Sequence, residues 1–218
     1  MDSLVAWEIL NRPKCLSVDL GHRYANDEWE RAVGIVMGLG PEGVFRFPTP
    51  AWSLFEKEDA EIPLRNLYLA MIGVNMGYDN IWIVVQKDEM SIPDRTEEFF
   101  TGASNILSML SGRKIKVDSP FKDIDKVDMI TLYLSNGFSI DNLLKTWACY
   151  QPDEGKHCGN CPACFRRFVA LTLNGITEDW HEKIFESAVA KEYLKKAQEG
   201  YYSKERCNHI LKALGRTE

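Results

Sequence analysis

Residues 146–171 read TWACYQPDEGKHCGNCPACFRRFVAL, and four of the chain's six cysteines fall within them. The spacing Cys149-x8-Cys158-x2-Cys161-x2-Cys164 offers four soft ligands, the number a closed tetrahedral zinc site requires. Gly155 and Gly159 permit tight turns between the thiolates. Pro162 suits the first turn of a helix that FRRFVALTL continues. Cys161 and Cys164 are therefore expected near a helix N-terminus, where the peptide dipole favours thiolates. Lys156, Arg166 and Arg167 are placed to offset the site's negative charge. The alternatives are two disulfides, a catalytic thiol pair or an iron–sulfur cluster, and His157 could replace one cysteine. Clustering in a chain with no recognisable export signal favours zinc. With four protein ligands, such an ion holds structure and does no chemistry. Cys15 reads as a core residue and Cys207 as a partly exposed helical thiol.

Upstream of this stretch, helix and strand signals alternate. Asp2–Leu10 has helical spacing, and Cys15–Leu20 reads as a buried strand broken by Gly21. Residues 26–38 read as a helix with Ala32, Val33, Val36 and Met37 on one face, and Val44–Phe47 as a short strand. Residues 48–63 hold three prolines and no clean period, which predicts a loop positioned to close over a site. Leu64–Met76 then reads as a helix, Asn80–Val85 as a buried strand, Glu97–Leu110 as a helix and Lys114–Val117 as a strand. The alternation predicts an α/β fold: a parallel sheet with helices on both faces. From Asp125 onward the chain reads mostly helical. The expected division is an α/β domain over 1–145 and a zinc-binding helical region over 146–218. Beyond Leu173, Ile184, Ala188, Val189, Tyr193 and Leu194 approximate one helical face and Ile210, Leu211 and Leu214 another, in a region expected to be peripheral to any chemistry.

At 218 residues, 45% of them hydrophobic and 27% charged, the chain can bury a sizeable core without disulfides. A net charge of −6 argues against a nucleic-acid-coating surface, so direct nucleic-acid binding is not expected. No apolar run reaches the ~20 residues that cross a bilayer. MDSLVAWEILNRP carries no basic region ahead of its apolar stretch, so a cytoplasmic protein without membrane contact is expected.

The cysteine stretch resembles the zinc-binding signature of the 7-cyano-7-deazaguanine synthases, which opens threonine–tryptophan–x–cysteine–tyrosine and continues with three cysteines spaced by three. Ile62-Pro63-Leu64-Arg65-Asn66 is similar to that family's proline–x–arginine–asparagine segment. Ile92-Pro93-Asp94-Arg95 with Glu98-Phe99 is similar to its proline–aspartate–cysteine–arginine loop, here without the intervening cysteine. Asp19-Leu20-Gly21-His22-Arg23 resembles a strand end that usually reads aspartate–tyrosine–glycine–glutamine. The similarity covers roughly residues 1–172.

The resemblance implies a PP-loop ATP pyrophosphatase fold, related to the adenine-nucleotide hydrolases. It also implies an amide- and nitrile-forming ligase with structural zinc, ATP and magnesium. Such an enzyme adenylates the carboxylate of 7-carboxy-7-deazaguanine, and ammonia displaces AMP to give an amide. A second ATP-dependent activation then dehydrates the amide to the nitrile. The product belongs to queuosine biosynthesis, and a homodimer is compatible with the resemblance. By the same resemblance Asp2 and Ser3 would sit at the phosphates, with Asp19 and Gly21 beside the nucleotide. Arg65, Asn66, Asp94 and Arg95 would meet the substrate, and Lys145 would stabilise developing charge. The family's phosphate motif is S-G-G-x-D-S, whereas Met1-Asp2-Ser3 resembles only x-D-S. The α/β domain thus reads as N-terminally incomplete, and the chain as written is expected to bind ATP poorly and form little nitrile. Asp2 and Ser3 also fit a plain helix cap. Two other functions stay open: an enzyme that attaches a deazaguanine to protein or DNA, and a non-catalytic zinc-stabilised binding module.

Overall fold

The computed structural model describes residues 1–39, 44–49, 52–58, 61–90, 92–151 and 156–215. Gly155 and parts of the 48–63 loop lie outside them, as does the side chain of Met37.

Helix α1 (Asp2–Ile9) buries Leu4, Val5, Ala6 and Trp7 in succession, so its middle turn is enclosed while Ser3 at its start is exposed. Strand β1 (Cys15–Asp19) runs parallel to β2 (Val44–Pro48), with Cys15 opposite Val44 and Asp19 opposite Pro48. Helix α2 (Ala25–Leu39) is the crossover between them. Helix α3 (Arg65–Asn75) precedes β3 (Asn80–Trp82), which runs parallel to β4 (Lys116–Asp118) across the crossover helix α4 (Glu97–Ser111). The α/β class and the parallel pairing therefore hold. Among the described residues the pairing forms two separate two-stranded ladders.

The strand read over Asn80–Val85 is shorter than its sequence suggests, and Trp82 is 45% exposed. A side chain takes over from the ladder beyond Trp82. Ser119 Oγ donates to the Val85 carbonyl (2.7 Å) and accepts from the Val85 N–H (3.0 Å). Serines also cover the outer edge of β4: the Val117 N–H donates to Ser104 Oγ and the Ile115 N–H to Ser108 Oγ, each at 2.9 Å. An edge whose donors are consumed this way cannot template another strand.

The remainder is helical: α5 (Lys126–Ser135), α6 (Ile140–Leu144), α7 (Pro162–Leu173), α8 (His181–Glu186), α9 (Ala188–Gln198) and α10 (Lys204–Ala213). Asp125, Ser139, Ser187 and Ser203 cap α5, α6, α9 and α10 by accepting a first-turn N–H. Ser187 interrupts the apolar face that runs from Ile184 to Leu194, which accordingly spans two helices.

Helix α7 organises this half of the molecule. Its Cys164, Phe165, Phe168 and Val169 pack with α8–α10, while Ala170 and Leu171 pack with α1, α5 and α6. Packing thus runs straight across residue 145. A third cluster joins α3 and α4 to the second ladder through Ala70, Val74, Phe100, Leu107 and Val117. Cys207, read as partly exposed, is buried, because α10 turns it inward toward α7. Cys15 is half-buried, and burial pushes its thiol up to about 11, which removes it as a nucleophile. No described helix is long and apolar enough to cross a membrane.

Candidate functional site

The Sγ atoms of Cys149, Cys158, Cys161 and Cys164 all lie within 4.8 Å of one another, and none of the four forms a disulfide. Metal–sulfur bonds of ~2.3 Å in a tetrahedron place sulfurs ~3.8 Å apart. Cys158 and Cys164 stand at 3.9 Å, so the cluster could hold a zinc ion. The backbone prepares it for charge. N–H groups of Gln151 and Cys158 donate to Cys149 Sγ, that of Asn160 to Cys158 Sγ, and that of Cys164 to Cys161 Sγ. Hydrogen bonds among the four thiols split them: that of Cys149 foremost holds Cys158 down to about 7 and Cys161 below its ordinary value, while those of Cys158 and Cys149 push Cys149 and Cys164, respectively, up. Gly159 makes the turn at φ +68°, with a Cβ there meeting Lys183 at 3.0 Å. Cys161 caps α7, so the expected helix N-terminus is present. Elemental analysis of the purified protein is expected to give one zinc per chain; iron in its place, or no metal, would contradict this.

His157 is not a member of the cluster. It lies between the rings of Trp147 and Trp180, at centroid distances of 4.7 and 5.1 Å, and burial pushes its imidazole down to about 4. Trp147 donates its indole N–H to the Cys149 carbonyl (2.9 Å), so it braces the knuckle. The two arginines after Cys164 do not bond the sulfurs. Arg167, 0% exposed, forks onto Glu178 (2.7 and 2.8 Å) and also donates to Thr146 and to the carbonyls of Leu143 and Leu144. Arg166 donates to Tyr150 Oη (2.8 Å) and pairs with Glu89 (3.4 Å). Lys156 is exposed.

The residues expected at a substrate come together in part. Asn66 donates its backbone N–H to Asp94 Oδ2 (3.4 Å) and its Nδ2 to the Asp94 carbonyl (3.0 Å). Arg95, beside Asp94, pairs with Glu89 at 2.6 Å. Glu89 therefore joins the 93–95 turn to Arg166 and the cysteine lobe. Arg65 opens α3 and lies within electrostatic reach of Tyr24, whose ring meets that of Tyr150 at 5.4 Å. At the end of β1, Asp19 accepts the Gly21 N–H (2.9 Å) and the guanidinium of Arg46. Burial opposes ionisation there, yet these donors hold the Asp19 carboxyl below its usual range. Gly21 needs φ +73°, with Ser53 Oγ 3.2 Å from where a Cβ would stand.

Asp2 opens α1 and pairs with Lys126 at 2.8 Å; burial resists, but the ammonium keeps its carboxyl far below the ordinary value. Ser3, next along α1, is exposed. Lys145 is exposed at the C-cap of α6, and the structure does not bring it to this group. Lys126 lines a cavity with Gln86, Asp88, Glu89 and Arg166, and Arg206 and His209 of α10 close the other side. Sequence reasoning missed Lys126, Gln86 and Glu89. The only signal was position: Gln86 and Glu89 follow β3 and Lys126 follows the cap Asp125, where the ends of parallel strands form crevices.

A family model described as queuosine biosynthesis protein QueC matches residues 56–175, more than half of the chain. A 7-cyano-7-deazaguanine synthase of Methanocaldococcus jannaschii is 29% identical over 129 residues, 54% of each chain. One from Pseudoalteromonas atlantica is 30% identical over 118 residues, 52% of each. One from Sulfolobus acidocaldarius is 31% identical over 125 residues, covering 54% of this chain and 26% of its own. The chain spans about half the length, or less, of these curated relatives.

Proposed function

We propose that this chain, which belongs to the queuosine biosynthesis protein QueC family, works as an ATP-dependent ligase forming 7-cyano-7-deazaguanine from 7-carboxy-7-deazaguanine and ammonia. The observation that carries this reading is the single bonded network from Asn66 through Asp94, Arg95 and Glu89 to Arg166 beside the cysteine lobe. It gives the family-like loop a fixed shape and anchors it to a lobe that zinc would make rigid. In this reading the substrate carboxylate attacks the α-phosphorus of ATP and pyrophosphate leaves. Ammonia then adds to the acyl carbon and AMP departs, giving the amide. Adenylation of the amide oxygen by a second ATP, followed by loss of AMP and two protons, gives the nitrile.

Negative charge develops on the phosphate oxygens at each activation, and a cation already held in place stabilises it. Lys126, fixed by Asp2, is the lysine we assign to that task in preference to Lys145. Asp2, Ser3, Asp19 and Gly21 are the residues proposed at the nucleotide, and Arg65, Asn66, Asp94 and Arg95 those at the substrate. The four cysteines would hold zinc as a structural ion only.

The test supplies 7-carboxy-7-deazaguanine, ammonium, magnesium and ATP to a form extended ahead of Met1 by an apolar strand ending S-G-G, following AMP and nitrile. Nitrile is expected. Lys126→Ala should lower kcat by roughly 10²-fold, the scale of losing one preorganised charge contact. Free nitrile would also exclude the attachment of a deazaguanine to protein or DNA as the sole activity. A Lys126→Ala rate equal to the parent's would remove that lysine from the reaction, and absence of nitrile would sink the reading.

A further inference from the structure

Helix α4 has an inner face that the fold consumes and an outer face that it leaves open. Phe100, Ala103 and Leu107 are buried toward α3 and β4, and Ser104 and Ser108 bond the edge of the strand. The opposite side carries Glu98, Gly102, Asn105, Ile106 and Met109, all exposed, at the three- and four-residue spacing that keeps them in one stripe. Met109 is 68% exposed, and Leu110 on the flank of the stripe is 72% exposed. Met71 and Met76 of the adjoining α3 are exposed as well. Large apolar side chains gathered on an outward helix face mark a contact surface.

The order of residues along the stripe says what fits it. Gly102 stands three residues before Asn105, and Met109 three residues after Ile106. Gly102 is a notch, because a Cβ built there meets nothing within 4 Å. Turning a second α4 antiparallel about the midpoint of Asn105 and Ile106 sets Met109 of each copy over Gly102 of the other. The same turn brings acidic ends to basic ones. Glu97 and Glu98 open α4, while Arg113 and Lys114 follow its C-cap Gly112. Arg113 is held in place by Asp79 (2.7 Å) and by the carbonyls of Gly77 and Val74. Glu98 and Lys114 take part in no ion pair among the described residues. A two-fold axis makes every such match occur twice. A foreign segment would have to meet the notch and both charged ends independently, whereas a second copy meets them by symmetry.

We propose that two copies of this chain associate through the outer face of α4, antiparallel about Asn105 and Ile106, with Met109 of each seated at Gly102 of the other. The family resemblance is compatible with a homodimer but gives no surface for one; the stripe supplies it, independently of any catalytic reading. The missing side chain at Gly102 lets the helix axes approach to the near end of the usual range of about 8–10 Å. A helix of this length is only about 22 Å long, so one helix pair with its flanks covers less than the roughly 800 Å² a side of a standard interface. The dimer is therefore weak and reversible, with Kd expected at roughly 1–100 µM.

Sedimentation velocity of the whole chain over roughly 1–300 µM tests this, with a shift from monomer to dimer expected across that range. Gly102→Gln fills the notch and should weaken association at least tenfold. Its melting temperature, read at a concentration where the chain is monomeric, should stay equal or rise, since glycine is a poor helix former and the site is open. Glu98→Lys and Lys114→Glu should each weaken self-association severalfold, because each sets like charges against one another at both ends of the contact. Mixing those two single variants is the sharpest arm. An antiparallel contact pairs opposite charges at both ends of the mixed dimer, so the mixture should associate more tightly than either variant alone. That gain should shrink as salt is raised. A chain that stays monomeric across the whole range overturns the proposal, and so does a dimer that Gly102→Gln leaves unchanged. A mixture no tighter than its components removes the antiparallel pairing and overturns it as well. These charge variants remain informative if Gly102→Gln does not fold.

Discussion

Replacing Arg167 by alanine is expected to destabilise the protein by about 3–5 kcal/mol, the usual cost of removing one partner from a buried ion pair. The guanidinium is 0% exposed and satisfies both oxygens of Glu178, together with Thr146 and two carbonyls at the end of α6. Alanine would strand all of these acceptors away from water. Arg167→Lys should recover little, because an ammonium cannot reproduce the planar fork. Burial alone would raise the Glu178 pKa, but the hydrogen bonds and charge of Arg167 depress it from 4.5 to about 2. A depressed carboxylate contributes stability that is complete above its unfolded pKa. That contribution is lost as pH falls from about 4.5 toward 2. Urea denaturation at pH 6 and pH 3 should therefore show the parent losing stability that the alanine variant never had. Equal urea midpoints for parent and variant at pH 6 would show that the fork is not what ties α6 to α7. Should the double change Arg167→Met with Glu178→Leu cost less than Arg167→Ala alone, the stranded charge is confirmed as the penalty.

Elements with a clean period and standard caps were legible in the sequence. Helix α4 begins after Thr96, and α7 begins at Pro162, both readable from their boundary residues. The cysteine cluster was legible because four soft ligands at short spacing have few other uses. What escaped reading depends on distance in space. NIWIVV looks like a long buried strand, but nothing in it reveals that the Ser119 hydroxyl takes over the hydrogen bonding at Val85. Glu178 follows the cysteines in a turn-like stretch, and no local rule pairs it with Arg167. Gln86, Lys126 and His209 carry no shared motif, and the cavity they line arises only when α10 folds back onto the 86–89 turn.

The largest effect is expected from the cysteine cluster. Cys161→Ser removes one thiolate and puts a harder, less acidic hydroxyl at the N-cap of α7. Capping of the Cys164 N–H survives, since serine is a good N-cap, so any loss reports on the metal and not on the helix start. Structural zinc contributes about 10–16 kcal/mol of apparent binding energy in small domains, which is comparable with the whole stability of a folded chain. Loss of even half of that would leave Cys149, Cys158 and Cys164 unbridged in the middle of the cluster that holds α7 to α8–α10. The fall in melting temperature should exceed roughly 10 °C, given about 2–4 °C per kcal/mol at this size. Amide exchange should rise first in α8–α10 and the 147–161 stretch, and last in α3 and α4, which belong to a separate cluster. A chelator added to the parent should reproduce the same pattern. Cys207→Ala, a buried thiol outside the cluster, serves as the control and should keep one metal per chain with a modest melting shift. If Cys161→Ser retained its metal and its melting temperature while Cys207→Ala lost both, the four-thiolate assignment would fall. If Cys161→Ser lost the metal but not the stability, the ion would be bound without holding the fold, and the helical half would owe its cohesion to α7 packing and the Arg167–Glu178 fork alone.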